Sequence, residues 1–261
     1  MRWWKIALGV GFASALALGP TVAATAATTT VRVTQSSLRD GYPSNPSSSD
    51  NLWYRMDTRV GGGVTLVKPG DTGNPIPAAP SPLEPGSLAL TTNNTGTAKA
   101  QLLTTGNGVR GTLLANVTGL GYSTYQVSTS PSIADASFQL VIDTDGNFNT
   151  TGDSTTLVWE PYENTDQHAV IPDQWQAWDT TGGNWWSSKQ ITCNGGLFTV
   201  APGAGGPPFT TPAAVAAGCP GAVVAAIGVN VGSNNAGYTV AVDGVHFDTL
   251  TSSTTWDFGP K

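Results

Sequence analysis

The chain has 261 residues, of which only 11% are charged, with 11 Lys+Arg against 17 Asp+Glu. Its 32 Gly and 18 Pro argue against a helix bundle and for short strands joined by many turns. At 39% hydrophobic it is too apolar to stay disordered, and it is long enough to bury a core without a metal or disulfide.

Arg2 and Lys5 precede an apolar run from Ile6 to Leu18. Gly19 and Pro20 break that run, and Ala24-Thr25-Ala26 has the A-x-A form of a cleavage site. Residues 1–26 are therefore expected to be a signal peptide; the run falls short of the roughly 20 apolar residues a span requires. No second apolar span follows, so the mature chain is expected to be released outside the cell. Without Arg2 and Lys5, nine basic side chains stand against seventeen acidic ones, a net charge of −8. That argues against nucleic acid and anionic membranes as partners.

Residues 27–261 read as a single domain. TTTVRVTQ (28–35) alternates and opens it as a strand. A polar loop leads to Leu52-Trp53-Tyr54, and Val64 to Val67 reads as a further strand. Six prolines between Pro69 and Pro85 form a long surface excursion, since the residues before them are too few for a domain of their own. Ser87 to Leu90 and Thr97 to Leu103 read as a hairpin around Asn93-Asn94-Thr95-Gly96. Leu113 to Val117 and Leu120 to Ser128 follow, with Gly119 and Gly121 as breakers.

ASFQLVID and TTLVWEPY then flank an Asp/Gly/Asn/Thr loop and read as a long hairpin at the centre of the fold. Phe138, Leu140 and Ile142 fall on one side of the first strand; Gln139, Val141 and Asp143 fall on the other. In the second strand Leu157 and Trp159 oppose Val158 and Glu160. QWQAWD (174–179) and NWWS (184–187) read as two strands around Thr181-Gly182-Gly183. Thr211 as N-cap, Pro212 at the first helical position and Gly218 as stop predict one short helix near 212–217. VVAAIGVNV (223–231) is a buried strand, GYTVAVDGVHF (237–247) alternates, and Thr254 to Phe258 closes the chain. The fold expected is all-β: a two-sheet jelly-roll sandwich with one short helix.

Cys193 and Cys219 are the only cysteines, and in an exported chain an isolated pair is expected to form a disulfide. Their spacing fits neither a C-x-x-C redox pair nor a zinc site. The loop after Ile142 carries Asp143, Asp145 and Asn147, with Asp153 beyond. Alternating oxygen-bearing side chains on a tight loop can converge on calcium. The same residues also suit a solvated turn. With Gly146 at the glycine position of an EF-hand, the first and last ligand positions fall on Val141 and Gly152, so the loop is not an EF-hand.

Seven tryptophans remain after processing. Trp175 and Trp178 lie an odd number of residues apart, as do Trp185 and Trp186, so one of each pair should be core and the other outward. An outward ring stacks on the apolar face of a sugar, and polar neighbours such as Gln174, Gln176, Asp179 and Asn184 would take its hydroxyls. The rings could equally cover the sandwich core. Glu160 and Glu163 could form an acid/base pair at a strand end. No G-x-S-x-G elbow or H-E-x-x-H spacing accompanies them.

LVIDTDGNFNTTGDSTTLVWEPY, WQAWDTTGGNWW, the small helix, AIGVNVGS and YTVAVDGVHF together resemble a recurrent domain of exported bacterial proteins. That domain is a lectin-like (concanavalin A-like or jelly-roll) sandwich, and the resemblance covers about residues 86–258. Val242-Asp243-Gly244-Val245 is similar to the closing strand of jelly-roll carbohydrate-binding modules, which implies Asp243 as a second calcium ligand. Gly244 departs from the acidic or amide residue those modules often carry there. The resemblance implies no catalytic residue.

The expectation is a secreted, non-catalytic module that binds a polysaccharide or cell-surface glycan. Its ligand-binding residues are drawn from Trp175, Trp178, Trp185, Trp186, Gln176 and Asp179. Should the domain hold a structural calcium, its expected ligands are Asp143, Asp145, Asn147 and Asp243; otherwise the loop is a solvated turn. The competing expectations are a structural or adhesive surface protein without a small-ligand site and, third, a glycoside hydrolase or polysaccharide lyase.

Overall fold

The structure, a computed structural model, describes residues 26–128, 130 and 134–260. The expected leader lies outside the described residues apart from Ala26. No described helix is long and apolar enough to cross a membrane.

The chain forms β1 (Ala27–Val33), β2 (Leu38–Asp40), β3 (Trp53–Arg55), β4 (Gly62–Val67), β5 (Ser87–Thr92) and β6 (Ala100–Thr104). It continues with β7 (Val117–Gln126), β8 (Ser137–Asp143), β9 (Ser154–Trp159), β10 (Trp175–Asp179) and β11 (Trp185–Ser187). The last part holds β12 (Ile191–Cys193), β13 (Phe198–Val200), α1 (Pro212–Gly218), β14 (Val223–Val231), β15 (Thr239–Thr249) and β16 (Ser252–Phe258). Two seven-stranded sheets stack as a sandwich, the all-β architecture expected. One has the order β11-β9-β8-β14-β6-β3-β2 and is called here the β14 sheet.

The other, the β15 sheet, is organised on its longest strand. Along one edge β15 pairs with β7, which carries β10. Along the other edge its first half pairs with β5 and its second half with β16. The change of partner falls at Asp243-Gly244. Gly244 has φ +59°, a left-handed value that costs glycine little, and the β15–β7 register shifts there.

Alternation explains which faces meet. Phe138, Leu140, Ile142, Leu157 and Trp159 are fully buried, as are Leu102 and Val229 beside them. They join one core with Leu88, Leu90, Tyr122, Trp178, Val240, Val242 and Phe247 of the β15 sheet. β14 is buried along its whole length, as its apolar run predicts.

Two expected hairpins are not hairpins. β5 lies in the β15 sheet and β6 in the β14 sheet; β10 and β11 divide in the same way. In both cases the turn residues reverse the chain while carrying it across the sandwich. Leu113 to Val117 is not a strand either: Leu114–Asn116 is a 3-10 turn that leads into β7. Gly119 and Gly121 do not break that strand but sit inside it. A Cβ on Gly121 would lie 2.3 Å from the His246 ring and 2.5 Å from the Trp178 carbonyl oxygen, so close approach is what requires glycine there.

The Pro-rich excursion has a definite task. Its Ile76 and Ala79 are buried, and Ile76 packs with Ala89, Tyr125, Val127 and Ala241 on the outer face of the β15 sheet. That face is thereby covered, whereas the outer face of the β14 sheet stays open. The expected helix is present, with Thr211 Oγ1 accepting from the Ala214 N–H at 3.0 Å. Cys193 and Cys219 form the expected disulfide, with a Cα–Cα distance of 5.4 Å. Closing a loop of that length is worth about 3.5 kcal/mol by chain entropy.

Candidate functional site

The open face of the β14 sheet is a groove of about 750 Å³. Register places Leu103, Gly228, Gln139, Val158 and Trp186 in one row across β6, β14, β8, β9 and β11. At about 4.8 Å per strand that row spans ~19 Å. The strand at its middle, β14, offers the groove the small residues Ala225, Ala226 and Gly228 together with Asn230, so the floor is low. Trp186 and Tyr162 rise on one side, and Met56 with Asp57 and Lys99 on the other.

Two floor residues stand out chemically. Gln101 and Gln139 are 6% and 5% exposed and line the groove. Neither side-chain amide makes a hydrogen bond to any described residue. Their hydrogen-bonding capacity is unspent inside the described protein and faces the groove, so both can bond a polar ligand there.

The wall is held by Glu160. Its Oε2 accepts from Trp186 Nε1 at 2.9 Å and lies 3.0 Å from the Tyr162 hydroxyl, which also lies 3.0 Å from the Gly205 carbonyl oxygen. Trp186, half-buried, is thus a fixed ring at the groove edge. Burial raises the Glu160 pKa, and the bonds from Trp186 and Tyr162 pull it back down. Gly205 belongs to the segment that the disulfide closes, so that bridge also anchors part of the wall. Across the groove Lys99 is neutralised by Asp57 at 2.7 Å.

The expected ligand-binding residues divide. Trp186 lies in the groove. Trp178 and Trp185 are 2% and 0% exposed and belong to the core, as parity requires of one member of each pair. Trp175 points outward from the other sheet and packs on Tyr125, 5.7 Å between centroids, beside the Pro-rich cover. Gln176 is buried, its amide bonded to Ala169 O at 2.8 Å, His168 Nδ1 at 2.9 Å and Ile171 N at 2.6 Å, so both of its donors are spent and its oxygen is turned to its own chain rather than to a sugar. Asp179 is exposed, but it sits on β10 and accepts from Thr181 N at 2.9 Å, away from the groove. Glu163 is not among the residues that line the groove. Sequence reasoning missed Gln101, Gln139, Asn230 and Tyr162. The outward parity of Gln139 was visible, but its burial was not.

Asp143, Asp145 and Asp153 each bring one oxygen within 4.8 Å of the others at the β8–β9 turn. Asp143 is buried, its Oδ1 accepting from Gly146 N and Asn147 N at 2.8 and 3.1 Å, and burial raises its pKa. The Asp145 pKa is lowered, first by the bond from Asn147 N. Asp153 Oδ1 is buried and accepts no hydrogen bond. Asn147 does not join the set: its Oδ1 accepts from Asn149 N at 3.2 Å. Nor does Asp243, which lies inside β15 on the opposite sheet, its Oδ1 accepting from Phe258 N and Gly244 N.

No family model and no curated protein matches the chain. Among solved structures it is similar to a family 11 carbohydrate-binding module from Clostridium thermocellum in complex with a β-1,3-1,4-mixed-linked tetrasaccharide. The identity is 11%, the match covers 77% of this chain and 97% of that one, and the TM-score is 0.34.

Proposed function

We propose that the chain is a secreted, non-catalytic module that binds an extracellular glycan or cell-wall polymer in the open groove of the β14 sheet. The observation that carries this reading is the pair of side-chain amides, Gln101 and Gln139, that face the groove with no hydrogen bond to a described residue, on a floor flanked by the Trp186 ring. Sugar hydroxyls complete such amides, and a sugar's C–H face stacks on such a ring. Export is supported by the leader-like N-terminus and by the disulfide.

The test is affinity gel electrophoresis of the wild type in barley β-glucan, xylan, mannan and polygalacturonate. Trp186→Ala and Gln139→Ala are each expected to weaken retardation about tenfold while both variants stay folded at the assay temperature. A wild type retarded by none of the four polymers overturns the proposal. Release of reducing ends from any of them, lost in Glu160→Gln, would favour a hydrolase or lyase instead.

Calcium at Asp143, Asp145 and Asp153 belongs to the same reading. The three carboxylates fit a hard cation, and the unused Oδ1 of Asp153 is a ready ligand; backbone carbonyls and water would complete its six to eight oxygens. The melting temperature is expected to rise by several degrees on adding calcium and to fall back with EDTA. Asp143→Asn with Asp153→Asn should remove that response. An unchanged wild-type melt in EDTA would leave the loop as a solvated turn.

A further inference from the structure

The groove does not end at its amide floor. A second stretch of about 330 Å³ shares Met56, Gln101, Thr156 and Ser188 with the first, so the two are continuous across the face of the sheet. Its chemistry differs. In the first stretch the one cation, Lys99, is held by Asp57. In the second, Arg110 and Lys189 line the walls, and neither lies within 4 Å of a described carboxylate oxygen.

Arg110 is held in place without being neutralised. Its guanidinium carbon sits 3.4 Å from the centroid of the Phe148 ring, and its charge lies near enough to the Tyr42 hydroxyl to oppose the burial that raises that group's pKa. Both rings are 37% exposed. A planar guanidinium has five N–H donors in a fixed fork, and stacking on one ring leaves them unspent. The carboxylate that lines this stretch, Asp143, is 3% exposed and turns Oδ1 back to its own loop backbone.

We infer that the second stretch is a subsite for the carboxylate of an acidic sugar, so that the groove takes a uronate-containing polysaccharide with Arg110 as its carboxylate receptor. This rests on the reading of the groove as a glycan site and names the class of glycan. A carboxylate matches the guanidinium fork in two parallel N–H···O bonds, and Lys189 adds a second positive charge. The aromatic faces of Tyr42 and Phe148 give the ring of the same sugar an apolar surface to lie against. The chain as a whole is acidic, so this cationic stretch acts locally, within about a Debye length.

The experiment compares polygalacturonate with its carboxyl-reduced form, in affinity gels with EDTA present so that calcium bridging plays no part. The wild type should be retarded at least about tenfold more strongly by the uronate polymer, and added salt should erase the difference. Arg110→Met should abolish the preference while leaving weaker binding to the reduced polymer. Phe148→Ala, which keeps the charge but loosens its support, should fall between them. Melting curves of all variants identify any that unfold, and Lys189→Met, on an exposed side chain, gives an independent reading of the charge. Equal retardation by both polymers, or a preference that survives both Arg110→Met and Lys189→Met, overturns the inference. If the neutral polymers are bound and Trp186→Ala loses that binding, the glycan reading stands even so. If no polymer is bound at all, both fall together.

Discussion

Replacing Trp185 with alanine is expected to destabilise the domain by about 3–5 kcal/mol, the cost of emptying a tryptophan site in a packed core. Trp185 is fully buried and meets Phe138 edge-on at 6.1 Å. Its Nε1 donates to the carbonyl oxygens of Thr180 and Gly182 at 3.1 and 3.0 Å, so truncation orphans two acceptors besides leaving a cavity. For a domain of this size the melting temperature should drop by about 6–20 °C. The same substitution one residue later should cost only about 1 kcal/mol, because Trp186 is half-buried and gives up a single bond to Glu160. Circular dichroism melts of the two variants read the contrast directly. Equal melting temperatures would mean that the two side chains do not face opposite sides of β11.

That contrast shows what the sequence made legible. Alternation in β8 and β9 sorted Phe138, Leu140, Ile142, Leu157 and Trp159 to the core and Gln139, Val158 and Glu160 to the other face, because side-chain direction in a strand is a local property. The odd spacing of Trp185 and Trp186 split them correctly for the same reason. Partnership is not local. Asn93-Asn94-Thr95-Gly96 and Thr181-Gly182-Gly183 signal chain reversal whether the next strand pairs with the last or crosses to the opposite sheet, and both cross. The groove suffered most from this. Gln101 and Gln139 lie 38 residues apart and come together only through β14, which pairs with both their strands. In sequence each looks like a polar residue on a wet strand face. Gln176 misled in the opposite sense, as its amide serves a loop eight residues upstream.

Buried acids were equally invisible in the sequence, and they set the second large effect: the domain is expected to be most stable in mild acid. Asp243 is fully buried where β15 changes partner, and its Oδ2 meets no hydrogen-bond donor. Burial, the dominant cause, lifts its pKa from the ordinary 3.8 to about 8, against the pull of the N–H groups of Phe258 and Gly244. Asp135, also buried, is lifted to about 6, again by burial and against bonds from Thr124 and Ala136. A folded-state pKa above the unfolded one means that the native protein holds the proton more tightly. The stability this contributes is complete below about pH 4 and is lost as pH rises, to about 6 for Asp135 and about 8 for Asp243. For Asp243 alone the loss by pH 7 is on the order of 4 kcal/mol. Asp57, Asp145 and Asp173 have lowered pKa values and act in the opposite direction, below about pH 4, but they are exposed and weigh less. Melts between pH 4.5 and 8.5 should therefore show a steady fall. Asp243→Asn should flatten it, because an amide oxygen still accepts from Phe258 and Gly244 and has no proton to lose. A wild type that gains stability over this range, or an Asp243→Asn variant with an unchanged slope, would show that Asp243 is ionised in the native state, as it would be if the site where β5 and β16 meet held a cation.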